Sequence, residues 1–118
     1  MKPITVYGIP NCDTIKKTLV WLKEHKIEYV FHDYKQQGIS REKLEEWTKQ
    51  KDWELIFNRK STSWRELPPA RQKKVVDAGT AIKEMLENNS IIKRPVIEYG
   101  KKLLVGFSPD EYATVFKK

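Results

Sequence analysis

Ile4, Thr5, Val6 and Tyr7 form a short β-branched and aromatic run that stops at Gly8, the pattern of a buried strand. Turn residues follow, Pro10-Asn11-Cys12-Asp13. Beyond them Ile15, Leu19 and Leu22 recur at i, i+4 and i+7, which lays one apolar stripe along a helix, while Lys16, Lys17 and Lys23 project elsewhere. His25-Lys26 marks the end of that helix, where positive charge suits the C-terminal end of the dipole. Ile27 to Asp33 reads as a second strand. A strand, a helix and a strand in this short span make a βαβ unit, so the two strands should run parallel with a right-handed crossover.

Tyr34 to Gly38 reads as a loop. Ser40 can cap a helix carrying Leu44 and Trp47 on one face. The stretch from Trp53 to Asn89 reads as mostly helical: Pro68-Pro69 suits a helix start, and Ala81, Ile82, Met85 and Leu86 form an apolar face. Within it Asn58 to Ser63 is polar and unpatterned, which predicts a loop. Val96-Ile97-Glu98-Tyr99 and Leu103-Leu104-Val105 flank Gly100-Lys101-Lys102, a β-hairpin with a three-residue connection. Ser108-Pro109-Asp110-Glu111 combines a capping box with Pro at the first helical position, and Tyr112, Val115 and Phe116 give the last helix its apolar face. The order predicts an α/β fold: a mixed four-stranded sheet flanked by helices, with a helical insertion after the second strand at residues 40–90. It matches a thioredoxin-like core, and a chain of 118 residues fits a single domain spanning 1–118.

Charge and composition narrow the classes. The chain holds 23 Lys+Arg against 16 Asp+Glu, a net charge of +7, but no basic block stands out. That spread reads as a solvated mixed-sign surface, and nucleic acid is not an expected partner. Trp21, Trp47, Trp53 and Trp64 are dispersed among helical segments and read as packing residues. No apolar run approaches the length of a membrane span or a signal peptide, so the expectation is a cytoplasmic protein with no membrane partner, in which a thiol stays reduced. One cysteine excludes an intramolecular disulfide and a cysteine zinc cage, and with only His25 and His32 beside it no metal is expected. Both histidines read as surface or edge residues.

Cys12 is the informative thiol, because it stands where the first helix begins. The first N–H groups of a helix lack intrahelical partners, and with the dipole they stabilise an anion there. A cysteine so placed carries more thiolate than a free one. The competing reading, that Cys12 merely fills a turn, has equal standing on position alone. Thr14 offers a hydroxyl to sulfur or ligand, and Asp13 can point outward and support the helix start. Ile15 stands where a second cysteine would close a local disulfide cycle, so any redox cycle needs an external thiol. Arg94-Pro95 stands at the entry of the third strand. In a thioredoxin-like core this place implies a cis proline facing the cysteine, and Arg94 beside it would favour thiolate and bind a carboxylate or oxyanion two-pronged. The competing reading is a surface arginine before a turn proline.

These residues resemble a known family. Tyr7-Gly8-Ile9-Pro10-Asn11-Cys12-Asp13-Thr14-Ile15-Lys16-Lys17, then Trp21-Leu22, is similar to the start of the arsenate reductase-like (ArsC/Spx) family. Phe31-His32-Asp33-Tyr34, Ile92-Lys93-Arg94-Pro95 and Gly106-Phe107-Ser108 extend the likeness over essentially the whole chain, nearest to the small YffB-type reductases. The resemblance implies a glutathione-dependent thiol reductase with Cys12 as its single nucleophile and no bound cofactor. Glutathione or another small thiol would be the co-substrate, and an oxidised thiol or an oxyanion the substrate. Arg94, Lys60, Arg59, Thr14, Asn11 and Pro95 are the implied substrate-binding residues. Two departures argue against arsenate reduction by a three-arginine site: Gly106-Phe107 replaces one arginine, and Lys60 takes the place of another, with Arg59 one residue early. The alternative is a regulator of the Spx kind that binds RNA polymerase, although Ile15 removes the Cys-x-x-Cys switch usual there.

Overall fold

A computed structural model describes residues 4–118, which divide into two compact units, 4–33 with 94–118 and 34–93. The first unit holds a mixed four-stranded sheet. Strand β1 (Ile4–Gly8) pairs in parallel with β2 (Tyr29–Asp33) and antiparallel with β3 (Val96–Tyr99). Strand β4 (Lys102–Val105) closes the order β2-β1-β3-β4. Helix α1 (Asp13–Glu24) joins the two parallel strands, as the βαβ pattern predicts.

Strand β2 starts later than expected because Ile27 is used to end α1. Its N–H donates to Leu22 O at 2.9 Å, the N–H of Lys26 donates to Lys23 O at 3.1 Å, and Lys26 takes a left-handed φ of 58°. This is a Schellman closure, and its apolar contact is Leu22 with Ile27, both in the core. The hairpin is one residue tighter than predicted. Tyr99 pairs with Lys102, so only Gly100 and Lys101 connect the strands, and Gly100 supplies the φ of +59° that the turn needs.

Ile4 and Val6 of β1, Ile97 of β3 and Leu104 of β4 form one core with Leu22, Ile27, Tyr112 and Phe116. Helices α1 and α8, the latter being the last in the chain (Pro109–Phe116), therefore lie on the same sheet face. Ser108 starts the final helix by accepting the Glu111 N–H at 3.3 Å, with Pro109 in the first turn. Only this half of the expected capping box forms. Gly8 allows α1 to begin close over β1: a Cβ there would stand 2.3 Å from Ile15 Cδ1, and Ile15 is fully buried.

The second unit is the helical insertion after β2. It contains α2 (Tyr34–Gln37), α3 (Arg41–Gln50), α4 (Trp53–Ile56), α5 (Thr62–Arg65), α6 (Pro69–Gln72) and α7 (Ala78–Glu87), then a 3-10 turn at Asn89–Ile91. Two predicted loops are corrected. Tyr34 to Gly38 is a helical turn closed by Gly38 N–H to Tyr34 O, and Asn58 to Ser63 ends in α5, where Ser61 Oγ accepts the Trp64 N–H. Trp47 and Leu44 of α3 are fully buried, and α3 packs against α7. The buried Glu84 carboxylate is held by Arg71 at 3.0 Å and by Asn88 Nδ2 at 3.1 Å.

Candidate functional site

The sheet register brings two of the expected features to one end of the first unit. Tyr7 lies opposite Val96, so Gly8 and Pro95 are at the same end of the sheet, the end from which the chain runs on to Cys12. The Arg94–Pro95 peptide is cis, as the thioredoxin-like reading implied. Pro95 is buried, and its carbonyl accepts the Gly106 N–H at 2.8 Å. The start of β3 is thereby fastened to the segment that carries Phe107.

Cys12 is the N-cap of α1. Its backbone is extended (φ −135°, ψ 127°), and its carbonyl accepts the Lys16 N–H at 3.0 Å. At an N-cap a serine or aspartate side chain would accept an N–H of the first turn. Here the Cys12 side chain makes no such bond, and the half-buried thiol occupies that place. The first-turn amides are thus left to an anion at or beside sulfur. Asp13 is exposed, consistent with an outward-pointing support of the helix start, and Asn11 is exposed too. Thr14 is half-buried, and its carbonyl accepts the Thr18 hydroxyl at 2.8 Å.

Asn11, Cys12, Thr14, Arg94 and Pro95 all belong to the sheet unit. Arg59 and Lys60 belong to the insertion. There Arg59 pairs with Glu54 at 3.1 Å and lies 5.3 Å over the Trp53 ring, and the exposed Lys60 gives its backbone N–H to Asn58 Oδ1. Among the described residues no group of three or more His, Cys, Asp or Glu could hold a metal ion. No helix of the described residues is long and apolar enough to cross a membrane.

His25 caps the end of α1, its Nδ1 within 2.8 Å of Trp21 O and its ring stacked on Trp21 at 3.8 Å. Tyr7 donates to Glu98 Oε1 at 2.7 Å, and the His32 ring lies 4.8 Å from that of Tyr7. Sequence periodicity missed this polar cluster because its partners come from three strands on the sheet face turned away from α1. It also missed a shallow cavity of about 380 Å³ beside α1, lined by Lys16, Lys17, Val20, Trp21, Glu24 and Phe107. The one signal for it was Val20, an apolar residue off the buried stripe and 52% exposed.

A mixed thioredoxin-like sheet with a single thiol at the first helix is the frame of a thiol-based oxidoreductase that works with one cysteine. The chain belongs to the ArsC family, whose model matches residues 7–115. It is similar to the solved structure of the YffB (PA3664) protein, with 49% identity, a TM-score of 0.90, and coverage of 94% of this chain and 96% of that one. An uncharacterized protein of Haemophilus influenzae is 43% identical over 113 residues, 96% of this chain and 98% of its own length. The regulatory protein MgsR of Bacillus subtilis is 27% identical across 98% of this chain and 91% of its own.

Proposed function

We propose that the protein is a glutathione-dependent thiol reductase acting through Cys12. The observation that carries this reading is the thiol at the N-cap of a 12-residue helix, where the N-cap side chain makes no capping hydrogen bond. The Cys12 thiolate attacks the glutathione sulfur of a mixed disulfide. A Cys12–glutathione disulfide forms, and the substrate thiolate leaves and takes a proton. A second glutathione then attacks that disulfide, releasing oxidised glutathione and restoring Cys12. One incoming glutathione is thus consumed for each substrate thiol released, and the oxidised glutathione contains it together with the glutathionyl half taken from the mixed disulfide. No second protein cysteine is needed, which agrees with the single cysteine in the chain.

Arg94 is the proposed anchor for a carboxylate of glutathione, since it adjoins Pro95 at the sheet end described above. Asn11, Thr14 and Pro95 would line the approach to sulfur. Lys60 and Arg59 would add charge for anionic groups, a role supported by the family likeness alone. Gly106 and Phe107 offer no cation where a three-arginine oxyanion site would need one, which weighs against arsenate as substrate. A cycle driven by reduced glutathione would run in the cytoplasm, where thiols stay reduced.

The test is turnover of a glutathionylated peptide with reduced glutathione, coupled to nicotinamide oxidation by glutathione reductase. Wild type should turn over, and Cys12→Ser should fall to the uncatalysed background. Full turnover in Cys12→Ser contradicts the reading. The likeness to MgsR favours a second one, a non-enzymatic regulator: stoichiometric capture of RNA polymerase subunits by a protein without turnover would replace the first.

A further inference from the structure

The cavity beside α1 begins about one helical turn from the thiol, at Lys16 and Lys17. Cys12, Lys16, Val20 and Glu24 are spaced by four residues, so they follow one another along α1, and the last three line the cavity. With a rise of about 1.5 Å per residue, Lys16 stands about 6 Å and Val20 about 12 Å along the axis from Cys12. Phe107 is the opposite wall. It is held at the right place by Gly106, which bonds to Pro95, and by an edge contact of its ring with Tyr112 at 5.7 Å. Trp21 meets the same Tyr112 ring at 5.4 Å, so both aromatic walls rest on one fully buried side chain.

Its lining is chemically graded. Lys16 and Lys17 are exposed at the end nearer the thiol, and neither takes part in an ion pair among the described residues. Val20, Trp21 and Phe107 form the apolar middle, and Glu24 lies at the far end. Two unpaired cations next to an exposed apolar floor complement a ligand with a negative charge close to its sulfur and an apolar group beyond.

We infer that this groove binds the oxidised substrate, a peptide segment whose disulfide cysteine is followed by an acidic and then an aromatic side chain. The carboxylate meets Lys16 and Lys17, the aromatic ring lies on Val20, Trp21 and Phe107, and the disulfide reaches Cys12. In a mixed disulfide with glutathione the Cys12 thiolate attacks the glutathione sulfur, and the seated peptide leaves as a thiolate that takes a proton; in a symmetrical peptide disulfide one half bonds to Cys12 and the other half leaves in the same way. The inference rests on the thiol chemistry proposed above and adds the substrate class.

The test compares symmetrical disulfides of three tripeptides, each beginning with cysteine: one continues with glutamate and phenylalanine, one with glutamate and glycine, one with lysine and phenylalanine. The rate at which Cys12 acquires each peptide is read from intact protein mass. The glutamate–phenylalanine peptide should react about tenfold faster than either of the others. Val20→Asn should erase its advantage over the glycine peptide, and the double variant K16Q/K17Q its advantage over the lysine peptide. Equal rates for all three in wild type overturn the groove and leave the thiol reading standing. An advantage over the glycine peptide that survives Val20→Asn also overturns it. So does a dimer that Val20→Asn dissociates, since a second copy then fills the groove. Failure of Cys12 to react with any disulfide, while iodoacetamide still alkylates it, rejects the thiol reading itself.

Discussion

Tyr112 connects the parts of the sheet unit that the candidate site depends on. Its hydroxyl donates to Gly106 O at 2.6 Å, and its ring supports Trp21 and Phe107. Burial pushes the pKa of this hydroxyl well above the ordinary tyrosine value. The sign follows directly. The folded protein favours the neutral form, so the contribution is complete below the unfolded value of about 10 and is lost as pH rises through the folded one. Tyr112→Phe should cost about 1–2 kcal/mol in urea unfolding at neutral pH. Of the alkaline loss of stability, the part due to Tyr112 should disappear in the variant; an unchanged alkaline profile contradicts this. The sequence showed Tyr112 as an apolar-face residue. Its polar partner was not legible, because a carbonyl in an irregular segment has no periodic signature. Cys12 was legible, since a turn before a strong apolar stripe fixes a helix start.

At the scale of elements, caps and stripes made the long helices readable. Helix α1 has the stripe without a side-chain cap at its start, and its end is closed by two backbone bonds around Lys26. Lysine is a poor choice at a left-handed position, where glycine meets no Cβ penalty. Lys26→Gly should therefore stabilise the protein by about 0.5–1 kcal/mol after the added flexibility of the unfolded chain is subtracted. Urea melts check this, and a destabilised variant contradicts it. The single-turn helices Tyr34–Gln37 and Thr62–Arg65 were not readable, since four residues hold little more than one period. The capping box that does close, Asp77 with Thr80 at the start of α7, escaped notice because threonine replaces the usual Glu or Gln.

For the whole molecule, the order of strands and helices was enough to specify the mixed sheet and the insertion after β2. The hairpin signal marked the β3–β4 pairing, although its turn is one residue tighter than read. The groove was not legible. It joins Val20 with Phe107, residues far apart in sequence, and nothing in either neighbourhood signals the other. The candidate thiol site was readable only in part: local pattern marked Cys12, whereas Arg94 and Pro95 gained meaning from the strand order. One cysteine should exchange with glutathione and need no partner thiol in the chain. Intact mass after incubation with oxidised glutathione tests this most directly. One glutathione per chain is expected, on Cys12, removed again by reduced glutathione. A protein that stays unmodified while iodoacetamide still alkylates Cys12 would contradict it.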